Sequence, residues 1–135
     1  MTKLFLFFTL GVVLSGCQKE TAIPDDGTLA GRFRLEIDPL RCSLPTTQRL
    51  SIQATSADTY RFDYDRFGLG TYQLTGIKAV KSSATKYDLT LDDQPIGQYA
   101  FEELRTLNGT QKKWVLLVNH GAGQPDGLEF MGVKE

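Results

Sequence analysis

Histidine occurs once in the 135 residues, tryptophan once and cysteine twice. Side chains this scarce exclude a zinc site built from histidine and cysteine, and they exclude a disulfide-stapled scaffold. Charge of one sign is equally lacking, since 15 lysines and arginines face 16 acidic residues for a net of −1. A nucleic-acid binder needs a basic surplus to neutralise phosphates, and a membrane-surface patch needs clustered cations. Lys112 and Lys113 are the only adjacent basic pair, so both classes are excluded. The longest apolar run, Leu4 to Leu14, falls short of the about 18 residues that span a bilayer. No repeat or low-complexity stretch interrupts the chain. A hydrophobic share of 41% with 23% charged residues is that of one ordinary folded domain, not of a disordered chain.

The amino terminus carries the most specific pattern. Lys3 supplies a positive charge, the apolar run follows, and Leu14-Ser15-Gly16-Cys17 closes it. This order fits a removable secretory signal over residues 1–16. The tetrapeptide resembles the lipobox of bacterial lipoproteins, which implies cleavage before Cys17 and attachment of acyl chains to it. Two or three such chains anchor a protein durably, because each buried methylene contributes about 0.8 kcal/mol. The resemblance implies a lipid-anchored protein of the bacterial cell envelope. Gln18 in place of Asp implies the outer membrane, and Gln18-Lys19-Glu20 is similar to a cell-surface export tag, which leaves the periplasmic face and the cell surface both open. Residues 17–28 contain Pro24, Asp25, Asp26 and Gly27 without apolar periodicity, and they read as a flexible tether. Asp25-Asp26-Gly27 lacks the alternating acidic ligands and closing glutamate of a calcium loop.

Residues 29–135 then read as a single β domain. Phe33, Leu35 and Ile37 alternate with Arg32, Arg34, Glu36 and Asp38, the pattern of a half-buried strand. The same period returns at Leu50 to Ala54, at Tyr60 to Tyr64, at Tyr72 to Ala79 with Gly76 shifting the phase as a bulge does, and at Tyr87 to Leu91. Turn residues fall between the runs, at Ala57-Asp58, Gly68 to Gly70, Ser82 to Thr85 and Asp92 to Pro95. Asn108-Gly109 suits a type I′ hairpin that sets Phe101 opposite Leu116, although Tyr99 to Leu107 also reads as a short helix capped by Asn108 and Gly109. Leu128 to Val133 completes eight strands. Trp114 to Val118 and Leu128 to Met131 are apolar on nearly both faces, so the carboxyl-terminal strands are expected to be covered. The fold expected is an all-β, small antiparallel barrel of about eight strands, with a β-sandwich as the alternative.

Leu29-Ala30-Gly31-Arg32-Phe33 on the first strand resembles the opening of lipocalin-like domains, with Phe33 where that family has tryptophan. The resemblance implies a barrel, a basic residue near its end packing on that ring, here Lys134, and a lid joining the first two strands. The segment Pro39-Leu40-Arg41-Cys42-Ser43-Leu44-Pro45 stands where the lid would be, stiffened by prolines and apolar through Leu40 and Leu44. Phe67 and Leu69 supply a second apolar connection. Set above inward-facing Phe33, Tyr60, Phe62, Tyr64 and Tyr72, these loops would shape a small pocket for an apolar or amphiphilic ligand. The other reading is a barrel filled by its own side chains.

Catalytic chemistry finds little support. His120 has no Gly-x-Ser-x-Gly elbow to serve and reads as a loop histidine. Asp63 and Asp65 share a face beside Arg61 and Arg66, as surface ion pairs do. Gly121-Ala122-Gly123 is a turn, because Asp126 occupies the position where a phosphate loop needs glycine. Cys42 has no intramolecular partner once Cys17 is acylated, which leaves a buried inert thiol, a mixed disulfide with a partner, or a nucleophile activated by Arg41 and His120. No catalytic residue, metal or cofactor is implied. The expected activity is binding, either of a small ligand or, as an interaction subunit or inhibitor, of another envelope protein.

Overall fold

The structure is a computed structural model that describes residues 27–37, 44–66, 70–121 and 128–135. Eight strands follow in order: β1 (Gly31–Ile37), β2 (Leu44–Ala54), β3 (Thr59–Arg66), β4 (Gly70–Ser83), β5 (Lys86–Leu91), β6 (Gln94–Thr106), β7 (Gly109–His120) and β8 (Leu128–Lys134). Each pairs antiparallel with its chain neighbours, and β8 returns to pair with β1, so one sheet closes on itself in a barrel-like ring. No helix occurs among the described residues. The two-sheet sandwich is thereby set aside, and so is the helix at Tyr99 to Leu107, which is strand β6 up to Thr106.

Alternation along the strands sorts side chains into an inside and an outside. Phe33, Leu50, Phe62, Ile77, Leu89, Ile96, Tyr99 and Leu116 point inward and are fully buried. Rings interlock at the centre, with Tyr99 stacked on Trp114 at 4.7 Å and edge-on to Phe33 at 5.8 Å. Side chains withdrawn so completely leave no water-sized void against them, as expected where eight strands enclose just enough space for their own residues. Burying each such side chain contributes roughly 1.5–3 kcal/mol.

Irregularities in the sheet have local causes. Tyr60 pairs with Ile77 and Phe62 with Leu74, so β4 carries one extra residue there, and Gly76 takes the positive φ of 81° that the expected bulge needs. Leu91 pairs with Gln94 across a tight turn whose two residues, Asp92 and Asp93, both have positive φ, which is the primed hairpin geometry. The β6–β7 hairpin differs from the expectation. Thr106 pairs with Gly109, so Leu107 and Asn108 form the turn, and only Gly109 has positive φ. The register moves by two residues, placing Phe101 opposite Trp114 and Tyr99 opposite Leu116. An even shift keeps every side chain on its own face, so the inward set is unchanged.

Because the order is a simple meander, the connections after β1, β3, β5 and β7 leave from one end of the sheet. The entering chain, the carboxyl terminus and the turns after β2, β4 and β6 share the other. Thr28 and Lys134 meet there, the lysine Nζ donating to the Thr28 carbonyl at 2.9 Å.

Candidate functional site

The aromatic residues expected to line one pocket are distributed along the sheet. Phe33 and Phe62 belong to the filled core. Tyr60 lies toward the end where the chain enters, in the last register position before the β2–β3 turn. Burial holds its hydroxyl above the ordinary tyrosine range, with Tyr87 and Asp58 adding to the effect. Tyr64 and Tyr72 come together toward the opposite end, stacked at 5.2 Å, and Phe130 lies 6.3 Å from Tyr64. Tyr72 remains 38% exposed although it points inward, so this end of the sheet is open beside β4. Leu44 begins β2 opposite Ile37. Cys17, Leu40, Cys42, Phe67 and Leu69 lie outside the described residues. Lys134 stands opposite Phe33 in register, and its side chain runs over Gly31, where a β-carbon would meet the lysine Cε at 2.9 Å.

The ion pair expected beside Asp63 is present. Arg61 Nε bonds Asp63 Oδ2 at 3.0 Å, and Gln73 donates to the other carboxylate oxygen at 2.7 Å. His120, expected in a loop, instead ends β7 opposite Leu128, because the ladder with β8 extends to that position. Among the described residues, no group of three histidine, cysteine, aspartate or glutamate side chains is placed to hold a metal ion.

A concavity opens on the outer side of the sheet. On the outer face of β6, β7, β8 and β1, pairing aligns Gln98, Leu117, Met131 and Glu36 in one row, and Ala100, Val115, Val133 and Arg34 in the next. Apolar residues outside a sheet are normally solvated, yet Val115, Met131, Val133 and Leu104 form a second buried cluster, with Leu117 half-buried against it. A cleft of about 750 Å³ opens over the upper row, lined by Glu36, Gln98, Leu117 and Met131, with Pro95, Asn119 and Glu129 from the adjoining positions and with Leu35, Gly97, Val118 and Phe130, whose register positions face inward. Thr46 and Gln48 close its far side. They reach it because β2 bulges between the pairs Arg34–Arg49 and Glu36–Pro45. A second concavity of about 210 Å³ lies on the other side of Glu36, beside Arg34, Leu104 and the β6–β7 turn.

Glu36 joins the two clefts and is the one buried charged residue among those described. Its side chain is 2% exposed, and Oε1 accepts from Arg34 Nη2 at 3.0 Å. Oε2 is buried with no hydrogen-bond partner, as is Arg34 Nε. A carboxylate oxygen in that state costs about 1–3 kcal/mol or more unless a donor reaches it. The sequence pattern concealed this residue, because Glu36 occupies an outward position and reads as one more solvated charge. The signal within reach was the apolar outer faces of β7 and β8, toward which a closed sheet must bring β1.

No protein family, curated protein or solved structure matches this chain. Fold and geometry therefore define it as a small closed all-β domain bearing an external cleft.

Proposed function

We propose that the chain is a membrane-anchored lipoprotein of the bacterial envelope, held through acyl chains on Cys17, whose β domain is a non-catalytic binding module for a small apolar or amphiphilic molecule. The outer membrane is its site, on the periplasmic face or the cell surface. The observation that carries the binding reading is the external cleft of about 750 Å³. That volume lies within the range of small-molecule sites, and the cleft sets the apolar Leu117 and Met131 among polar side chains, as an amphiphile requires. The interior of the sheet is occupied by the chain's own rings, so the ligand surface is assigned to the outer face of β6, β7, β8 and β1.

Anchoring is tested by fractionation, where Cys17→Ser moves the protein from membrane to soluble fractions and abolishes labelling by a fatty acid; retention with no label in the parent chain refutes it. Binding is tested by native mass spectrometry of the protein extracted from its own envelope. A reproducible adduct lost in Leu117→Glu supports the cleft, whereas an adduct indifferent to that change places the ligand elsewhere. A second reading, docking of an envelope protein, draws on the continuation of the apolar strip from the cleft to Leu104, and crosslinking from Gln98→Cys distinguishes it by yielding a protein conjugate.

A further inference from the structure

The ligand class can be narrowed by the electrostatics of the cleft, an inference that rests on the binding reading above. We propose that the cleft takes a small amphiphile carrying a protonated amino group, with its apolar body on Leu117 and Met131 and its ammonium directed to Glu36.

Three observations combine. Glu36 is buried on the outer face with Oε2 lacking any donor, and Arg34 satisfies only Oε1. The described lining of the cleft contains two carboxylates, Glu36 and Glu129, and no lysine, arginine or histidine. Met131 beside Glu36 and Leu117 beyond it are apolar and lie in the same register row as Glu36. A desolvated carboxylate oxygen accepts its strongest hydrogen bonds from a cationic donor, and an ammonium offers three N–H groups on a compact head. An anionic ligand meets two like charges and no donor cation. A neutral alcohol can donate to Oε2, but only through one hydroxyl and without the added strength of a charged donor.

Met1 and Met131 are the only methionines, so cleavage before Cys17 leaves Met131 as a single methyl probe on the cleft floor. The lipidated chain in phosphatidylcholine nanodiscs, labelled at the methionine methyl, is titrated with octylammonium, octanol and octyl sulfate. Partition into lipid is common to all variants, so the difference between variants reports the protein site. Octylammonium is expected to shift the Met131 resonance saturably, about tenfold more tightly than octanol, and Glu36→Gln is expected to remove that advantage. Leu117→Lys, which sets a cation in the same row, abolishes octylammonium binding by a route that does not depend on Glu36.

Equal affinity for octylammonium and octanol overturns the amine assignment while the cleft reading survives. Tighter binding of octyl sulfate does the same. No Met131 shift with any of the three overturns both. Thermal melting keeps the Glu36→Gln result interpretable: a variant that melts well below the parent marks Glu36 as purely structural and overturns the proposal.

Discussion

Gly97 pairs with Val118 on β7 and with Leu89 on β5, and the strands approach so closely there that a β-carbon would collide with the Leu117 carbonyl oxygen. Backbone cannot yield as a side-chain tip can. Gly97→Ala is therefore expected to cost about 3 kcal/mol or more, read as a lowered urea midpoint with an unchanged slope. Glu36 has the opposite character. Its carboxylate is buried, half-satisfied and bonded to an arginine that solvent still reaches, since the Arg34 side chain is 37% exposed. Converting it to glutamine exchanges an ion pair for a bond from the same guanidinium to a neutral carbonyl and removes a desolvated charge. Glu36→Gln should change stability by about 1 kcal/mol at most and in either direction, whereas Glu36→Ala, which also loses packing against the outer cluster, should cost about 1–2 kcal/mol. Urea titration of the three chains decides this, and a large loss in the glutamine variant would contradict the assignment of Glu36 to a ligand.

Strands are the scale at which the amino-acid order was most informative. Alternation at Phe33 to Ile37, Tyr60 to Tyr64 and Tyr87 to Leu91 needs only one buried face to be legible, and each run lies within a strand. Gly76 was legible because a phase change in the alternation has few other causes. The β6–β7 turn was not, because Asn108-Gly109 suits a primed turn on its own while the pairing of Thr106 with Gly109 is decided by how Trp114 and Tyr99 stack across the hairpin. Partition of the aromatics between core and mouth was equally hidden, since Phe62, Tyr64 and Tyr72 share one face and differ only in height within the sheet. Two titrations report on these elements. Within β5 the Asp88 carboxyl is held below the ordinary aspartate range by its hydrogen bond from Lys86 and then by one from Ser82. A lowered folded pKa contributes stability that is present above the unfolded value and fades as pH falls through the folded one. The Asp88 side chain is half-exposed, so the effect on stability is small, but its side-chain carbon resonance should titrate below that of an ordinary aspartate and return toward it in Lys86→Ala. Tyr60 has the reverse sign. Its raised pKa gives stability that is complete below the ordinary tyrosine range, about pH 10, and is lost above it. Tyrosinate absorbance should therefore show one group ionising late, and Tyr60→Phe should remove that group.

Closure of the sheet is the property of the whole molecule on which the cleft depends, because Glu36 reaches Met131 only across the β1–β8 seam. That seam is narrow. Pairing with β8 runs from Phe33 to Glu36, against Gly97 to Thr106 for the pairing of β6 with β7. Contacts at the chain ends reinforce it: Lys134 reaches the Thr28 carbonyl, the Glu135 amide donates to the Arg32 carbonyl at 3.0 Å, and Arg49 pairs with the Glu135 carboxylate at 3.1 Å. Exposed ion pairs contribute little, so the backbone bonds and the lysine carry most of this closure. Local opening follows the fewest buried contacts and the shortest ladder, which singles out this seam over the β6–β7 hairpin. Hydrogen exchange in the native state should show β1 and β8 amides exchanging ahead of those from Ala100 to Leu104 and from Lys113 to Leu116. Removing Lys134 and Glu135 should widen that difference and weaken any ligand that spans Met131 and Glu36, while the stacked centre around Tyr99 and Trp114 keeps its protection. Uniform exchange across all eight strands would instead make the ring a single cooperative unit. In that case the two sides of the cleft would separate only on global unfolding, and ligand affinity would be insensitive to the carboxyl-terminal truncation for as long as the domain stays folded.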